Sequence, residues 1–278
     1  MGRAAAGAAA RPAPRASGPM EPRADDPKDR TAAAVALQAQ AGALLDCRAC
    51  ALCEGRTQVV FGVGDPAADL MFIGEGPGFN EDREGEPFVG QAGKLLNELL
   101  GSIGLRREDV YIANVVKCRP PDNRDPLPAE IVACSPQLMA QVRAIRPRVV
   151  CTLGRFATRL IAQTEAGMAT VRGRAKATEV AGVPVLVFPV FHPAAALYTP
   201  ANRGILQEDF QRLRRLLERG SDALVGGEPG ADAAADAGTG AGMAVTAGGP
   251  PISPEAPTAP SSPTAPEGGA QAEQLPLW

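Results

Sequence analysis

The chain has 278 residues, with 28 Lys and Arg, 31 Asp and Glu and a single His, which gives a formal net charge of -3. This near balance excludes both a strongly basic nucleic-acid-binding chain and an acidic disordered chain. No run approaches the roughly 20 apolar residues of a membrane helix, and residues 1–30 lack the apolar segment of a secretion signal, so we expect a cytoplasmic protein without a membrane anchor.

Aromatic and cysteine residues mark the folded part of the chain. All six Cys, all eight Phe and both Tyr fall between Cys47 and Phe210. The flanks consist mainly of Ala, Pro, Gly and Ser, which bury too little apolar surface to offset chain entropy. We therefore predict a disordered tail over residues 1–41, one domain over residues 42–219 and a disordered acidic tail over residues 220–278.

Short runs rich in Val and Ile alternate with segments of helical periodicity along the central domain. The apolar runs predict strands at residues 59–61, 70–73, 110–116, 148–153 and 185–190. Helical spacing of apolar residues predicts helices at residues 92–103, 128–145, 155–162 and 206–217. This alternation is typical of an α/β fold, in which a parallel sheet is flanked by helices. Ligands of such folds bind beyond the carboxyl ends of the strands, so we expect the chemistry in the loops that follow them.

Four cysteines stand at the spacing C-x2-C-x67-C-x15-C, at Cys47, Cys50, Cys118 and Cys134. Four thiolates, two of them within one tight turn, are typical ligands of a metal ion or an iron-sulfur cluster. Zinc stays open as the alternative, and the C-x2-C pair by itself also fits a redox pair. Cys151 stands in a predicted strand, where we expect a buried apolar side chain, and Cys53 is not assigned as a ligand.

Two glycine-rich segments follow the predicted strand that ends at residue 73. They read GEGPGFNED over residues 74–82 and GEPFVGQAG over residues 85–93. Glycines let the backbone approach a ligand closely, and the amino terminus of the following helix favours anions. The segments lack the Lys-Ser/Thr end of a P-loop and the spacing G-x-G-x-x-G, so neither of these nucleotide-binding motifs is present.

Two polar residues stand beside or within apolar strands. His192 directly follows the predicted strand at residues 185–190, so it shares the ligand side of the sheet with the glycine-rich loop, although a lone His is more often structural. Asn114 lies within the predicted strand at residues 110–116, where a buried amide needs partners. Its adjacent donor and acceptor suit the Watson-Crick edge of a base. Both residues are therefore candidates for a functional role.

Several motifs, in this order, resemble those of the family 4 uracil-DNA glycosylases, the iron-sulfur members of the uracil-DNA glycosylase superfamily. The resemblance runs from about residue 47 to residue 217, through C-x2-C followed by EGRT, GEGPG with ED, PFVGQAG, YIANVVKCRPPDNR and HPAAAL. It implies a uracil-DNA glycosylase-like fold and an enzyme that flips uracil out of DNA and hydrolyses its N-glycosidic bond to initiate base excision repair. The implied partner is uracil-containing DNA, and we expect a monomer.

The resemblance also implies which residues hold the flipped base: Gly74, Glu75, Gly76, Phe88, Asn114 and His192. Phe88 is implied to stack on uracil, and Asn114 to read its O4 and N3-H edge, which differs from that of cytosine. His192 is implied to donate a hydrogen bond to uracil O2 as negative charge develops on the departing base.

The residue that activates water is not settled by the resemblance. Better-known relatives carry an Asp and a Tyr in the first loop, where this sequence has Gly76 and Gly78. Three candidates remain for the catalytic role besides the histidine, namely Glu75, Asp82 and Asn123.

Other residues are candidates for contact with DNA. Leu197, at the end of the HPAAAL motif, is the candidate wedge that fills the space vacated by the flipped base, with a core position as its alternative. Arg203 is the candidate phosphate contact beside it. Further basic residues flank the motifs and are weaker candidates for the same contact: Arg56, Lys117, Arg119 and Arg124.

The cluster implied by the resemblance is of the 4Fe-4S type, with a structural role and with Cys47, Cys50, Cys118 and Cys134 as its ligands. The chain ends in a motif that resembles the peptide by which bacterial repair proteins dock on the sliding clamp, formed by Gln274, Leu275, Leu277 and Trp278. Such a peptide binds a groove from a disordered tether. We therefore expect a cytoplasmic protein that associates with the nucleoid when it is on DNA.

A different class of function stays open beside the enzyme. A non-catalytic iron-sulfur protein that binds uracil-containing or single-stranded DNA would carry the same cysteines and a similar pocket. A related subgroup traps its product covalently through an added basic loop with a second His, and this chain has no second His. The sequence therefore favours the hydrolytic enzyme over the trapping protein.

Overall fold

The computed structural model describes residues 29–219, and the apolar runs of this segment form one sheet. Its strands, in chain order, are β1 (Val63–Gly64), β2 (Leu70–Gly74), β3 (Tyr111–Asn114), β4 (Val149–Leu153), β5 (Lys176–Val180) and β6 (Val183–Val190). They lie in the order β1-β3-β2-β4-β6-β5. The four inner strands run parallel, and the two edge strands pair antiparallel with their neighbours. The predicted α/β fold is confirmed, with a parallel sheet at its centre.

Helices cover both faces of this sheet. They are α1 (Arg30–Leu44), α2 (Phe79–Glu84), α3 (Gln91–Ser102), α4 (Pro128–Ile145), α5 (Arg155–Ala162), α6 (Met168–Val171), α7 (Pro193–Tyr198) and α8 (Ala201–Glu218). The helices predicted at residues 128–145 and 155–162 have the expected bounds, and the last one begins at Ala201 rather than at residue 206. Within residues 29–219, none of these helices has the length and apolarity required to cross a membrane.

Successive side chains of the inner strands point to opposite faces of the sheet, so the core forms one layer on each face. Met71 and Ile73 of β2 share a buried cluster with Leu138 of α4. Phe72 points to the opposite face, where its ring stacks on that of Phe210 of α8 with 5.9 Å between the ring centroids. The two layers therefore hold the central strands from both sides, as the near-continuous apolar runs require.

The prediction of a disordered tail over residues 1–41 is wrong from residue 30 onward, because α1 begins there. The carboxylate of Asp29 caps the helix by accepting a hydrogen bond from the Ala32 amide at 2.9 Å. Leu37 is buried in the core layer that contains α4. The Ala-rich composition that suggested disorder is also that of a strong helix former, and burial of its few leucines decides in favour of the helix.

The sheet edges also differ from the prediction. Residues 59–61 form no strand, and the first strand is Val63–Gly64. β5 was not predicted, because most of its side chains are exposed and polar or small, which leaves no apolar run. Residues 1–28 and the predicted tail over residues 220–278, with its clamp-binding motif, lie outside the described residues, so those predictions are untested.

Parallel pairing brings the carboxyl ends of the inner strands to one edge of the sheet. Gly74 at the end of β2 lies beside Asn114 at the end of β3, and Leu153 of β4 lies beside Val190 of β6. The loops after these strands therefore meet, as the sequence predicts.

Candidate active site

An open cleft of about 440 Å³ lies beyond the carboxyl ends of β2, β3 and β6. It is lined by Glu75, Gly76, Pro77, Gly78, Glu81, Phe88, Ala92, Asn114, Pro120, Asn123, Arg124, His192, Ala194 and Tyr198. The residues expected to hold a flipped base are all in this set except Gly74. The cleft therefore unites segments that are more than a hundred residues apart in the sequence, from Glu75 to His192.

Asn114 supplies an unpartnered hydrogen-bond acceptor to the cleft. The residue is 1% exposed, and its Oδ1 has no hydrogen-bond partner among the described residues. A buried acceptor without a partner is destabilising by about 1–3 kcal/mol, so it indicates a ligand or ordered water. Gly74 leaves room for this amide, because a Cβ at Gly74 would lie 2.4 Å from Asn114 Oδ1 and 2.7 Å from the Phe88 ring. Gly74 thus shapes the floor of the cleft without lining it.

His192 presents a neutral imidazole to the cleft. It is the N-cap residue of α7, and its Nδ1 accepts a hydrogen bond from the Ala194 amide at 3.1 Å. An accepting Nδ1 carries no proton, so the proton of the neutral ring is on Nε2. Burial lowers the pKa of His192 to about 4, against a smaller opposite effect of Glu81. At neutral pH the ring therefore offers Nε2–H as a donor without carrying charge.

Phe88 holds its ring in the cleft through a strained backbone. Its φ of 55° lies in the left-handed region, which aromatic residues rarely adopt. The guanidinium of Arg107 donates to the Phe88 carbonyl oxygen at 3.1 Å and also to the Pro87 carbonyl oxygen. Gly93 permits this arrangement, because a Cβ there would lie 1.8 Å from the Phe88 carbonyl oxygen. These contacts stabilise a conformation that the residue alone would avoid.

The carboxylate of Glu81 joins the two glycine-rich segments. Its Oε2 accepts a hydrogen bond from the Gly78 amide at 3.1 Å, and its Oε1 accepts from the Val89 and Gly90 amides at 3.0 and 2.9 Å. Amide donors to an ionised acceptor form strong hydrogen bonds. Glu81 therefore sets the distance between the loop after β2 and the segment that carries Phe88.

Glu75 is a carboxylate of the cleft whose pKa is shifted. Burial raises the pKa of the Glu75 carboxyl to about 7, Asp125 raises it further, and Arg155 opposes both. A carboxylate with a pKa near the working pH is suited to general-base catalysis. Of the candidates for activating water, Glu75 therefore has both the position and the titration for the role.

The other two candidates differ in position. Asn123 lines the cleft, with its backbone in the left-handed region at a φ of 53°, and its Oδ1 accepts a hydrogen bond from Arg119 Nε at 2.7 Å. Asp82 does not line the cleft. It is buried, and its two carboxylate oxygens accept from the Thr57 amide at 2.9 and 3.0 Å. The selection of Asp82 as a catalytic candidate is corrected, because its carboxylate anchors the EGRT segment instead.

The candidate DNA contacts lie at the rim or away from the cleft. Leu197 is 47% exposed on α7, next to Tyr198, which lines the cleft. It is therefore no core residue, and its role as a wedge stays a prediction. Arg203 forms an ion pair with Glu98 of α3 at 2.6 Å and does not line the cleft, so its role as a DNA contact stays a prediction as well.

Lys117 is not a phosphate contact, because its side chain is fully enclosed by the protein. Its Nζ donates to the Asn114 carbonyl oxygen at 2.9 Å and to Gln141 Oε1 at 2.6 Å. The Gln141 amide in turn donates to the hydroxyl of Tyr111 at 3.3 Å. Burial lowers the pKa of Lys117 to about 7. This buried network stabilises the end of β3, where Asn114 lies.

A second cavity is lined by all four cysteines proposed as ligands, Cys47, Cys50, Cys118 and Cys134, and also by Cys53. Among residues 29–219, no three or more His, Cys, Asp or Glu side chains form a site for a metal ion. Arg56 donates to Cys118 Sγ at 3.5 Å, and the Lys117 amide donates to Cys134 Sγ at 3.3 Å. Burial raises the pKa of Cys118 to about 11 and also raises the pKa of Cys134, and these donors oppose the rise. Cys151 is buried in β4, as expected.

Glu81, Tyr198 and Arg107 belong to the cleft or support it, and they were not predicted from the sequence. Glu81 had a usable signal, because it belongs to the ED pair that carries the resemblance. Tyr198 directly follows the HPAAAL motif, but exposed aromatic side chains have no periodic signature. Arg107 had no signal at all, since only the fold brings it to the carbonyl groups of residues 87 and 88.

Comparison with known proteins identifies the family of this chain. A model of the uracil DNA glycosylase superfamily matches residues 61–218. The type-4 uracil-DNA glycosylase of Sulfurisphaera tokodaii is 48% identical over 178 residues, which cover 62% of this chain and 81% of that protein. The type-4 uracil-DNA glycosylase of Saccharolobus solfataricus is 49% identical over 176 residues, covering 62% and 82%. That of Thermotoga maritima is 42% identical over 181 residues, covering 62% and 90%. The chain belongs to the type-4 family of the uracil-DNA glycosylase superfamily.

Proposed function

We propose that this protein is a uracil-DNA glycosylase, which flips uracil out of DNA and hydrolyses its N-glycosidic bond. One observation carries the proposal: a neutral His192, a buried and unpartnered Asn114 Oδ1 and the ring of Phe88 line the same cleft. These groups supply a hydrogen-bond donor, an acceptor and a stacking surface. That combination suits a planar, polar base, and type-4 uracil-DNA glycosylases are the relatives that share this sequence.

Asn114 is the residue that distinguishes uracil from cytosine. Its Oδ1 accepts a hydrogen bond from uracil N3-H, and its amide group donates to uracil O4. Cytosine has an acceptor at N3 and a donor at N4, so both contacts would become repulsive. The bonds from Lys117 to the main-chain carbonyl oxygen of Asn114 and to Gln141 stabilise the backbone that carries this amide.

His192 acts on the leaving group. As the glycosidic bond breaks, the sugar gains positive character and uracil leaves as an anion, with charge on O2. Nε2–H donates a hydrogen bond to this oxygen, and the bond strengthens as charge develops. The ring remains neutral because its pKa is about 4, so it stabilises the anion without transferring a proton. Flipping itself costs a few kcal/mol, less for a mismatched or single-stranded uracil.

Glu75 completes the reaction by activating water. Ionised Glu75 accepts a proton from a water molecule as that water attacks the sugar carbon. The departing uracil anion takes up a proton from solvent, so the products are free uracil and an abasic site. Its pKa of about 7 leaves a substantial ionised fraction at neutral pH. Asn123, which also lines the cleft, is proposed to orient the same water.

The cysteine cavity is proposed to hold a 4Fe-4S cluster with Cys47, Cys50, Cys118 and Cys134 as ligands. The four thiols line one cavity, and the resemblance to the iron-sulfur members of the superfamily favours a cluster over zinc. The cluster has a structural role, joining the segment after α1 to α4 and to the end of β3.

The location and partners of the protein follow as further proposals. We expect a monomer in the cytoplasm that acts on DNA in the nucleoid. The motif formed by Gln274, Leu275, Leu277 and Trp278 is proposed to bind the sliding clamp. Removal of residues 274–278 is expected to leave uracil release from short oligonucleotides intact and to abolish co-elution with the clamp. Loss of activity on the oligonucleotide would contradict this role.

Incubation with an end-labelled oligonucleotide that contains one uracil, followed by alkali cleavage, tests the main proposal. Cleavage at uracil, and none in the thymine control, is the expected result. Asn114→Ala is expected to lower release strongly while the visible absorbance of the cluster is unchanged. Binding of the oligonucleotide without cleavage would contradict the enzyme and favour the non-catalytic protein.

A further inference from the structure

An exposed aromatic side chain contacts two arginines beside the cleft. Phe79, the first residue of α2, is 51% exposed. The guanidinium carbon of Arg83 lies 5.6 Å from the centre of its ring, and that of Arg119 lies 5.1 Å from it. Both distances are in the range of cation–π interactions. Phe79 therefore contacts two positive charges from different segments, since Arg83 belongs to α2 and Arg119 follows β3.

The group formed by Phe79, Arg83 and Arg119 is next to the cleft, because Phe79 and Arg119 each neighbour or contact a lining residue. Phe79 directly follows Gly78, which lines the cleft. Arg119 Nε donates to Oδ1 of Asn123 at 2.7 Å, and Asn123 lines the cleft as well. The two guanidinium groups therefore lie near the cleft that is proposed to hold the flipped nucleotide.

These two arginines differ from other arginines near the cleft in having no carboxylate partner. Arg124 forms a bidentate pair with a buried carboxylate of α4, and Arg155 pairs with an aspartate. In the part of the chain that the structure describes, no salt bridge involves Arg83 or Arg119. Stacking on Phe79 uses the faces of the guanidinium groups and leaves N–H donors at their edges. Arg83 and Arg119, which have no carboxylate partner and retain N–H donors, are suited to bind an anion.

We propose that Phe79, Arg83 and Arg119 form a clamp that binds one backbone phosphate of DNA beside the flipped nucleotide. The inference takes DNA as the partner from the proposed function and adds the residues that hold its backbone. Guanidinium groups match the geometry of phosphate oxygens, and two of them on one phosphate fix its position. Because the chain as a whole carries a charge of -3, attraction to DNA has to be local, and this clamp supplies it.

The test measures binding of full-length protein to a labelled duplex without uracil, by fluorescence anisotropy at several salt concentrations. Each phosphate contact contributes about 0.9 to the slope of log K against log salt. Arg83→Gln and Arg119→Gln are each expected to weaken binding several-fold. The double variant is expected to lower the slope by about 0.9, because both side chains bind the same phosphate. Arg143→Gln, at an exposed position in the last turn of α4, is the control and keeps the wild-type slope.

Two outcomes overturn the clamp. An unchanged slope in the double variant would show that neither arginine contacts DNA. A reduction of about 1.8 would show two separate phosphate contacts instead of a shared one. Uracil release is assayed separately, so a protein that fails to release uracil and yet shows the expected slope disproves the enzyme and not the clamp.

Variants of Phe79 test how the aromatic ring acts. Phe79→Tyr keeps the stacked ring and is expected to bind like the wild type, whereas Phe79→Leu weakens binding. In the background of Arg83→Gln and Arg119→Gln, Phe79→Leu is expected to have no additional effect, because the ring acts through the arginines. A further loss in that background would mean that Phe79 stacks on a base, which contradicts its assigned role.

Discussion

The imidazole of His192 stacks on the phenyl ring of Phe88, with 5.5 Å between the ring centroids and 28° between the ring planes. The two residues are 104 residues apart in the sequence, and different contacts hold each of them. A backbone amide fixes the His192 tautomer, whereas Arg107 and Gly93 stabilise the left-handed backbone of Phe88. The donor and the stacking surface for a flipped base are therefore in place before DNA binds, which is the condition for efficient transition-state stabilisation.

His192→Ala and His192→Asn are expected to lower the rate of uracil release by about 10²–10³-fold, the range for loss of one transition-state donor. Asn keeps an acceptor for the Ala194 amide, so His192→Asn should melt close to the wild type, whereas His192→Ala loses a helix cap of about 1 kcal/mol. Single-turnover release and thermal melting measure the two effects. A wild-type rate in either variant would remove His192 from the mechanism.

The rate of uracil release is expected to rise with pH up to about 7, the pKa of Glu75, and to level off above it. Glu75 accepts a proton only when it is ionised, so each pH unit below its pKa costs about tenfold. His192 adds no change in this range, because its pKa is about 4. Glu75→Gln should lower the plateau and abolish the rise. If the rise persists in Glu75→Gln, another titratable group activates the water.

Glu75 is also expected to make stability depend on pH. Its pKa is raised from 4.5 to about 7 on folding, so the folded protein holds this proton more tightly than the unfolded chain. The resulting stabilisation is present at low pH and is lost as pH rises through about 7. Glu75→Gln should therefore melt above the wild type at pH 8 and close to it at pH 4. Glu179→Gln, an exposed position on β5, is the control, and an equal shift there would refute the explanation.

Arg107→Gln is expected to raise KM for uracil-containing DNA about tenfold or more, because hydrogen bonds from a charged group contribute about 1.5–3 kcal/mol. Without them the backbone of Phe88 relaxes and the stacking surface is displaced. Affinity for uracil-free DNA should not change, since Arg107 holds the pocket and not the backbone contact. The neighbouring Arg106, which is exposed and pairs with Asp109, provides the control variant Arg106→Gln. Equal effects at both positions would disprove the positioning role.

Cys118→Ser is expected to lose iron and visible absorbance and to melt at a lower temperature than the wild type. Cys151→Ser changes a buried thiol in β4 and should retain full iron content. Cys53→Ser should retain it too, although Cys53 lines the same cavity. Loss of iron in Cys53→Ser would correct the ligand set, and zinc in place of iron in the purified protein would contradict the cluster.

Much of the central fold was predictable because its signals are local. The helices at residues 128–145 and 155–162 follow from the spacing of their apolar residues, and the inner strands follow from their apolar runs. Burial on both faces of the sheet makes such runs unmistakable. The edge strand β5 and the helix α1 were not predicted, since exposed polar strands and Ala-rich segments look like loops or tails.

The sequence by itself determined the fold class, the order of the motifs and the residue types of the pocket, because apolar periodicity and motif spacing are properties of the chain. Only the tertiary structure decided which polar residues act together. It separated Glu75 in the cleft from Asp82, whose carboxylate binds the Thr57 amide, and it enclosed Lys117 rather than exposing it to phosphate. Contacts of this kind depend on desolvation and on the geometry between distant segments, and neither can be predicted from the order of the residues alone.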